Sequence, residues 1–287
     1  MPLHHRWMQN IHSFAAVLLL SRLKSPVTNW PIVARPHRRT LSAAPACPYH
    51  VRLARPADGP EIVRFVEWNL LPREPLLRAL NVGAIERCRA QLLDEIRRVL
   101  RESVTLLAEK THPEPPEKGP PPIVGVALNR RSWSGDGKRL ADRADRTQHG
   151  PLRKLLYIWS IVAAEPNLHQ HFCTRCLFEI AFLIINSDAE MRQGVGLHLT
   201  RHSLELARAL GYHYARMNCT CEDSSRIASN AGLECRWTVA YHHLVDGSNH
   251  PVVQPEPPHT HIKVHATALP PIGTHPSHCI KSSNAGN

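Results

Sequence analysis

The chain has 287 residues, of which 43% are hydrophobic and 21% charged, a balance that is ordinary for a globular protein. This length allows one large domain or two small ones and is ample for a hydrophobic core. No stretch reaches the apolar length of a membrane-spanning helix, so we expect no membrane partner. Eight cysteines at irregular spacings do not form a small disulfide scaffold, which favours a reducing compartment and a cytoplasmic location.

The net charge of +11 is concentrated near the N terminus. Residues 1–57 contain eight Lys and Arg and no Asp or Glu, which leaves only +3 for the rest of the chain. That remainder has no dense basic stripe interleaved with aromatic residues. We therefore expect no nucleic-acid partner, although the total charge alone would suggest one.

Residues 1–47 are predicted to be a leader outside the folded domain. The segment is rich in Arg, lacks acidic residues and contains a short apolar patch at 14–20, as organellar transit peptides do. A secretory signal fits less well, because the patch is short and no clean small-residue cleavage site follows. The segment could equally be an inert or disordered extension. A functional transit peptide would place the protein in the mitochondrion. Residues 270–287 are predicted to be a disordered tail.

Residues 48–269 are predicted to form one domain in which strands alternate with helices. Alternating or continuous apolar runs predict strands over residues 49–53, 103–108, 123–128, 182–185, 214–219, 237–242 and 261–266. Apolar faces at helical spacing predict helices over residues 60–70, 87–100, 155–164, 197–210 and 224–231. Asp58 is the expected cap of the first helix. A proline-rich surface loop is predicted over residues 113–122, and a polar, mobile connection over 138–149.

The stretch from Phe182 to Gly211 organises this pattern. Its apolar start predicts a buried strand, a Gly-x-Gly turn follows at Gly194–Gly196, and Gly211 is placed to end the helix after it. Glycines let backbone N–H groups approach an anion, and the free N–H groups and dipole of a helix N terminus favour negative charge. The stretch therefore predicts a phosphate-binding turn.

Several short segments, in this order and spacing, carry a resemblance to a known family. They are Arg73–Leu76, Val124–Asn129, Gly194–Gly196, Cys219–Arg226, Tyr241–His243 and His259–Leu269. Together they resemble the GNAT acetyltransferase fold, and most closely the insect-type arylalkylamine (dopamine) N-acetyltransferases, over nearly all of the predicted domain. The resemblance implies an α/β fold with a mixed central sheet flanked by helices. It also implies acetyl transfer from acetyl-CoA to a small aromatic amine such as dopamine, serotonin or tyramine.

The resemblance also assigns roles to individual residues. An alkylamine is protonated at neutral pH and attacks a thioester only as the free amine, so a base is needed, and the matching residue is Glu74. The hydroxyls of Thr220 and Ser224 match those that serve the leaving thiolate. A backbone N–H near Ile185 is the expected oxyanion donor. Without the resemblance, Glu74 would be interpreted as a solvated charge near a helix start, and Ser224 as a helix cap.

Coenzyme A is expected to bind at the glycine turn. The family's turn usually opens with Arg or Gln, where this chain has Met191. Neighbouring polar side chains could replace that contact, and a backbone cradle needs only N–H groups. The residues expected to bind the cofactor are Ile185, Arg192, Gln193, Gly194, Val195 and Gly196.

A second interpretation is a catalytically weak relative or a zinc-linked interaction module, favoured by Met191 and by the segment His169–Cys176. That segment holds a Cys-x-x-Cys beside two histidines, and zinc uses such ligands. The resembled family has no metal at this place, and 20 histidines make chance clustering easy. We therefore expect no bound metal, and a monomer whose partners are coenzyme A and an aromatic amine.

Overall fold

The computed structural model describes residues 48–111, 122–186, 193–246 and 249–270. The predicted leader lies outside the described residues, as do the predicted tail from residue 271 onward and most of the proline-rich loop. Met191 and Arg192 also lie outside them. No helix among the described residues is long and apolar enough to cross a membrane.

The described residues form a seven-stranded sheet with the order β1-β2-β3-β4-β5-β7-β6. β4 and β5 are parallel and all other neighbouring pairs are antiparallel, which confirms the predicted mixed sheet. The strands are β1 (Tyr49–Leu53), β2 (Leu106–Lys110), β3 (Ile123–Trp133), β4 (Cys176–Ile185), β5 (Tyr214–Cys219), β6 (Glu234–Ala240) and β7 (His261–Ala268).

Helices cover both faces of this sheet. They are α1 (Gly59–Asn69), α2 (Pro75–Ala79), α3 (Glu86–Leu100), α4 (Asp136–Arg146), α5 (Gly150–Ala164), α6 (Leu168–His171), α7 (Val195–Ala209) and α8 (Glu222–Asn230). Val126 on β3 belongs to the buried cluster of Ile62 on α1 and Ile96 on α3. Its neighbour Gly125 faces Leu199 on α7. Because successive strand residues point to opposite faces, α1 and α3 cover one face and α7 the other.

The prediction for residues 138–149 is wrong, because most of this polar segment forms α4. Only Leu140 and Ala144 give the helix a buried apolar stripe, too narrow for the helical period to stand out in the sequence. Charged pairs one turn apart, such as Lys138 with Asp142 at 3.1 Å, support the exposed face. α5 then begins at Gly150, before the predicted start at residue 155.

Two strand predictions are shifted along the chain. α3 ends at Leu100 and is followed by a turn in which Ser103 adopts a φ of 57°, so β2 begins only at Leu106. β6 begins at Glu234 and ends at Ala240, because Tyr241–His243 forms a 3-10 turn. A 3-10 turn at Pro56–Asp58 precedes α1, and Asp58 is the N-cap residue of α1, as predicted. Its carboxylate accepts from Arg52 and from the Arg55 N–H rather than from an N–H of the helix.

β4 extends farther back than the predicted strand and contains a bulge. Leu128 on β3 is opposite Phe182, whereas the next β3 residue, Asn129, is opposite Ile180. Ala181 therefore has no partner on β3. One extra residue reverses the alternation of side chains, so Glu179 and Phe182 come to the same face of the sheet.

We predict that Gly125→Ala destabilises the protein by about 1–3 kcal/mol, because the core has no room for another methyl group. An added Cβ would lie 2.9 Å from both Leu199 Cδ1 and Val195 Cγ1 and 3.1 Å from Ile185 Cδ1. Urea unfolding of the two proteins measures the difference in the free energy of unfolding.

The matched control is Gly59→Ala in the first turn of α1, where nothing lies within 4 Å of the added atom and the backbone is helical. We expect that change to be neutral or to stabilise by about 0.4–1 kcal/mol. Equal effects at both positions would contradict the close packing of α7 on β3.

Candidate functional site

The parallel strands β4 and β5 pair at only three positions and then separate. Phe178, Glu179 and Ile180 are opposite Ala215, Arg216 and Met217, and none of the described residues that follow continues the pairing. The Asn186 N–H donates to Val124 O on β3 at 3.0 Å. Because successive N–H groups of a strand point in opposite directions, the Ile185 N–H points away from β3 and into the opening beside β5.

A cavity of about 590 Å³ lies at this opening. The ends of β4 and β5, the segment after α1, part of α5 and the first turn of α8 line it. Four of the predicted site residues are among its lining: Glu74, Thr220, Ser224 and Ile185. Gln193, Gly194, Val195 and Gly196 are not part of this lining. Gly194 is the N-cap of α7, which begins with Val195 and Gly196. Arg192 lies outside the described residues.

Glycine is favoured at each of the two positions at the start of α7 for a different structural reason. Gly194 is the N-cap and adopts a left-handed φ of 79°, which favours glycine. A Cβ on Gly196 would lie 2.9 Å from Ile227 Cδ1, so this glycine lets α7 and α8 pack closely. The first helical bond runs from the His198 N–H to Gly194 O at 3.1 Å. The N–H groups of the turn before His198 are therefore available to an anion.

Glu74 is the N-cap of α2 and is held inside the cavity wall. Its Oε2 accepts a hydrogen bond from the Leu77 N–H at 2.5 Å. Its Oε1 is buried and has no hydrogen-bond partner among the described residues. Burial raises the pKa of Glu74, and the neighbouring Thr220 side chain and the Leu77 N–H oppose that rise. Glu74 thus sits at a helix start, as the alternative interpretation expects, but its carboxyl group is not solvated.

Two further residues surround Glu74 and had no role from the sequence. The Tyr241 hydroxyl donates to Thr220 O at 2.8 Å, and burial together with the charge of Glu74 raises the pKa of Tyr241, which keeps this phenol protonated. Arg73 Nη1 donates to the backbone O of Asn186 at 2.5 Å, tying the segment after α1 to the end of β4. Both residues lie in segments that carry the family resemblance, and that resemblance was the signal in the sequence that could have identified them.

Ser224 is not the N-cap of α8, so the alternative interpretation of this residue as a helix cap is wrong. Cys221 is the N-cap, and its Sγ accepts from the Ser224 N–H at 3.5 Å. The Ser224 hydroxyl donates instead to Cys221 O at 2.8 Å. Burial raises the pKa of the neighbouring Cys219 thiol to about 12, so this thiol stays neutral.

A buried ionic network forms the floor of the cavity beside Glu179. Its Oε2 accepts from Arg130 Nε at 2.7 Å and its Oε1 from Asn218 Nδ2 at 2.8 Å, while Arg216 Nε lies 3.8 Å away. Burial disfavours the charged form, but Arg130 and Arg216 outweigh it and hold the pKa of Glu179 below its usual value. Charged residues within apolar strands were the only sequence signal for this network, and sequence reasoning missed it.

The segment His169–Cys176, which the second interpretation offers as zinc ligands, shows no grouping of such ligands. Among the residues that the structure describes, no three His, Cys, Asp or Glu side chains are grouped so that they could hold a metal ion. His169 Nε2 lies 3.1 Å from Ser132 O, and Cys173 Sγ donates to Gln170 O at 3.6 Å. These side chains contact the backbone of their surroundings rather than one another.

No protein-family model matches the sequence. A mosquito arylalkylamine N-acetyltransferase-like 5b superimposes with a TM-score of 0.67 at 16% identity, over 77% of this chain and 100% of that one. Arylalkylamine N-acetyltransferase 2 from Aedes aegypti superimposes with a TM-score of 0.66 at 20% sequence identity, over 77% of this chain and 99% of that one. The Drosophila melanogaster polyamine N-acetyltransferase, which forms N-acetylagmatine, superimposes with a TM-score of 0.67 at 20% sequence identity, over 77% of this chain and 100% of that one. The chain has the GNAT acyltransferase fold, which confirms the predicted fold class.

We predict that Glu179→Gln destabilises the protein by about 3 kcal/mol or more at pH 7, because it leaves two buried arginines without their carboxylate. Since the pKa of Glu179 is lowered in the folded state, its stabilising contribution is present above its ordinary pKa and is lost as the pH falls below it. The variant should therefore lose less stability than the unaltered protein over that acid range. Urea unfolding as a function of pH measures both effects.

Glu256→Gln is the control, because Glu256 pairs with Arg78 at 2.9 Å on an exposed surface. We expect a change below about 1 kcal/mol there. A Glu179 variant as stable as this control would contradict the importance of the buried network.

Proposed function

We propose that the chain is an acetyl-CoA-dependent N-acetyltransferase that acts on arylalkylamines, the class of dopamine, serotonin and tyramine. The observation that carries the proposal is the cavity at the β4–β5 opening, where a buried carboxylate, Glu74, meets Thr220 and the first turn of α8. The likeness to solved structures named as arylalkylamine N-acetyltransferases supports it.

Acetyl-CoA fits this arrangement as a co-substrate. The available N–H groups at the start of α7 suit its diphosphate, and the left-handed Gly194 presents no side chain there. In this proposal Val195 and Gly196 contribute backbone N–H groups, and Gln193 precedes the turn in the chain. The Ile185 N–H, directed into the opening, would hydrogen-bond the thioester oxygen and stabilise the oxyanion that forms when an amine attacks.

Glu74 is the proposed general base. Because burial raises its pKa, Glu74 is a stronger base than a solvated glutamate and is better matched to an ammonium group. Its partnerless Oε1 can accept the proton directly or through a water molecule. Thr220 and Ser224 are the proposed groups for the leaving thiolate. To donate to it, the Ser224 hydroxyl must rotate away from Cys221 O, to which it donates here.

The walls of the cavity suit an aromatic acceptor. Trp159 on α5 and Phe182 on β4 both line it, with ring centroids 6.0 Å apart in an edge-to-face arrangement. Such a pair offers apolar surface and favourable ring geometry to a third ring.

The six described free cysteines support the expected cytoplasmic location, because a reducing compartment keeps thiols unpaired.

We predict that Glu74→Gln lowers kcat for acetylation of tryptamine or dopamine by about 10²–10⁴-fold, because the base is lost while the shape is retained. Turnover of acetyl-CoA measures the rate. Calorimetry with coenzyme A is the control, and its affinity should be unchanged, because Glu74 lies on α2 and not at the start of α7. A variant with full turnover would contradict the assignment.

The pH profile provides a separate prediction. Because the pKa of Glu74 is raised, kcat/KM should fall as the pH drops through a value above that of an ordinary glutamate. Steady-state rates from pH 5 to 9 measure this acidic limb. In Glu74→Gln, the residual activity should lose that limb, and a limb that persists there would belong to another group.

A further inference from the structure

The ionic cluster around Glu179, at one part of the cavity lining, contains more guanidinium than carboxylate groups. Glu95, Glu179 and Arg130 line the cavity there, and the other Asp, Glu and Arg residues of the described lining are Arg73, Glu74, Arg78 and Asp223. Glu95 and Glu179 each face two arginines. The four arginines are Arg98 at 2.9 Å and Arg143 at 3.0 Å from Glu95, and Arg130 at 2.7 Å and Arg216 at 3.8 Å from Glu179.

The nearby Asp136 pairs with the exposed Arg139 at 3.1 Å and also attracts Arg130 and Arg216. Arg98 is half exposed, so the buried part of the cluster is Glu179 with Arg130 and Arg216, where two guanidinium groups share one carboxylate. Excess charge in a largely buried site is unfavourable unless an opposite charge joins it. A ligand with an acidic group would supply that charge.

Arg130 is the member of the cluster that can reach such a ligand. Its Nε donates to Glu179 Oε2 at 2.7 Å, and its side chain is only 16% exposed. Its two Nη groups donate to no described residue, although the side chain lines the cavity. A guanidinium presents its N–H groups in a planar fork that matches a carboxylate.

The two carboxylates are less available to a cation. Both Glu179 oxygens accept hydrogen bonds, from Arg130 and from Asn218. Glu95 Oε2 lies between Arg98 and Arg143. A second cationic group on the acceptor would add to a cluster that is already positive, which makes diamines poor candidates for this floor.

We propose that the preferred acceptor is an arylalkylamine that also carries an acidic group, as an aromatic α-amino acid does, and that Arg130 binds this group. The inference rests on the proposed function, because it concerns the acceptor side of the same cavity. The aromatic ring would lie against Trp159 and Phe182, which line the cavity with Arg130.

The test compares acceptors that differ only by a carboxylate, using the full chain and acetyl-CoA. The pairs are tryptophan with tryptamine, tyrosine with tyramine, and arginine with agmatine. If the Arg130 guanidinium forms a hydrogen-bonded charge pair with the acceptor's carboxylate, we expect kcat/KM to be about tenfold or more higher for tryptophan and tyrosine than for tryptamine and tyramine. Equal or lower values for the carboxylated members overturn the inference, as does agmatine being the best acceptor of all.

Two controls separate the causes of failure. If no amine of any pair is acetylated, the proposed function fails, whereas acetylation without a carboxylate preference removes only this inference. An acidic group could also belong to the acyl donor, so succinyl-CoA is tested with tryptamine. If succinyl transfer to tryptamine is faster than acetyl transfer to tryptophan, the acidic group lies on the donor and the inference is overturned.

Variants then test Arg130 itself. Arg130→Gln should lower the tryptophan-to-tryptamine ratio of kcat/KM about tenfold, mainly by raising KM for tryptophan, and Arg130→Lys should restore part of it. Arg131→Gln is the matched control, because the Arg131 guanidinium lies over Trp133 at 5.6 Å and not in the cavity lining. The control should keep the original ratio. Should Arg130→Gln fail to fold, the acceptor pairs with the unaltered protein still decide the question.

Discussion

The separation of β4 from β5 after three paired positions is the constraint on which the site depends. Two parallel strands that stayed paired would saturate their backbone groups and fill the space between them. Here β4 runs on to Ile185 beside β3, while β5 ends at Cys219 and leads into α8. The opening leaves unpaired N–H groups on β4 and gives the side chains of both strands access to one cavity.

Three places around this opening differ in their electrostatic character. The start of α7 offers N–H groups and the positive end of a helix dipole, which suits a diphosphate. Glu74 on the cavity wall has a raised pKa because it is buried, which suits proton transfer. The floor around Arg130 and Glu179 is ionic and buried, and its excess of guanidinium groups suits an anion. One fold therefore brings together, within a few elements, groups suited to a diphosphate, to proton transfer and to an anion.

The sequence pattern was sufficient for the order of the strands along the chain, because buried strands are short apolar runs bounded by turns, whereas the mixed sheet was expected only from the family resemblance. It was insufficient for α4, whose apolar stripe consists of Leu140 and Ala144 alone. The early half of β4 was also missed, because Glu179 interrupts its apolar pattern and is compensated only by residues distant in sequence. For the same reason the ionic floor could not be predicted: Arg130 and Arg216 meet Glu179 only once three strands are adjacent.

In the candidate site, too, the sequence predicted some features and only tertiary contacts revealed the others. Glu74, Thr220 and Ser224 follow from a family resemblance, and the structure places all three around one cavity, together with Ile185. The capping of α8 by Cys221 and the position of Tyr241 beside Glu74 depend on tertiary contacts that no spacing reveals. Local motifs therefore indicated which residues to consider, while burial and partners decide what each can do.

The decisive experiment is a crystal structure of the full chain with coenzyme A and tryptophan bound. We expect the diphosphate to lie against the N–H groups of Val195 and Gly196, and the thiol to lie inside the β4–β5 opening near Glu74. We also expect the tryptophan ring to lie against Trp159 and Phe182. Coenzyme A bound elsewhere, or an opening filled by side chains with the amine remote from Glu74, would contradict these expectations.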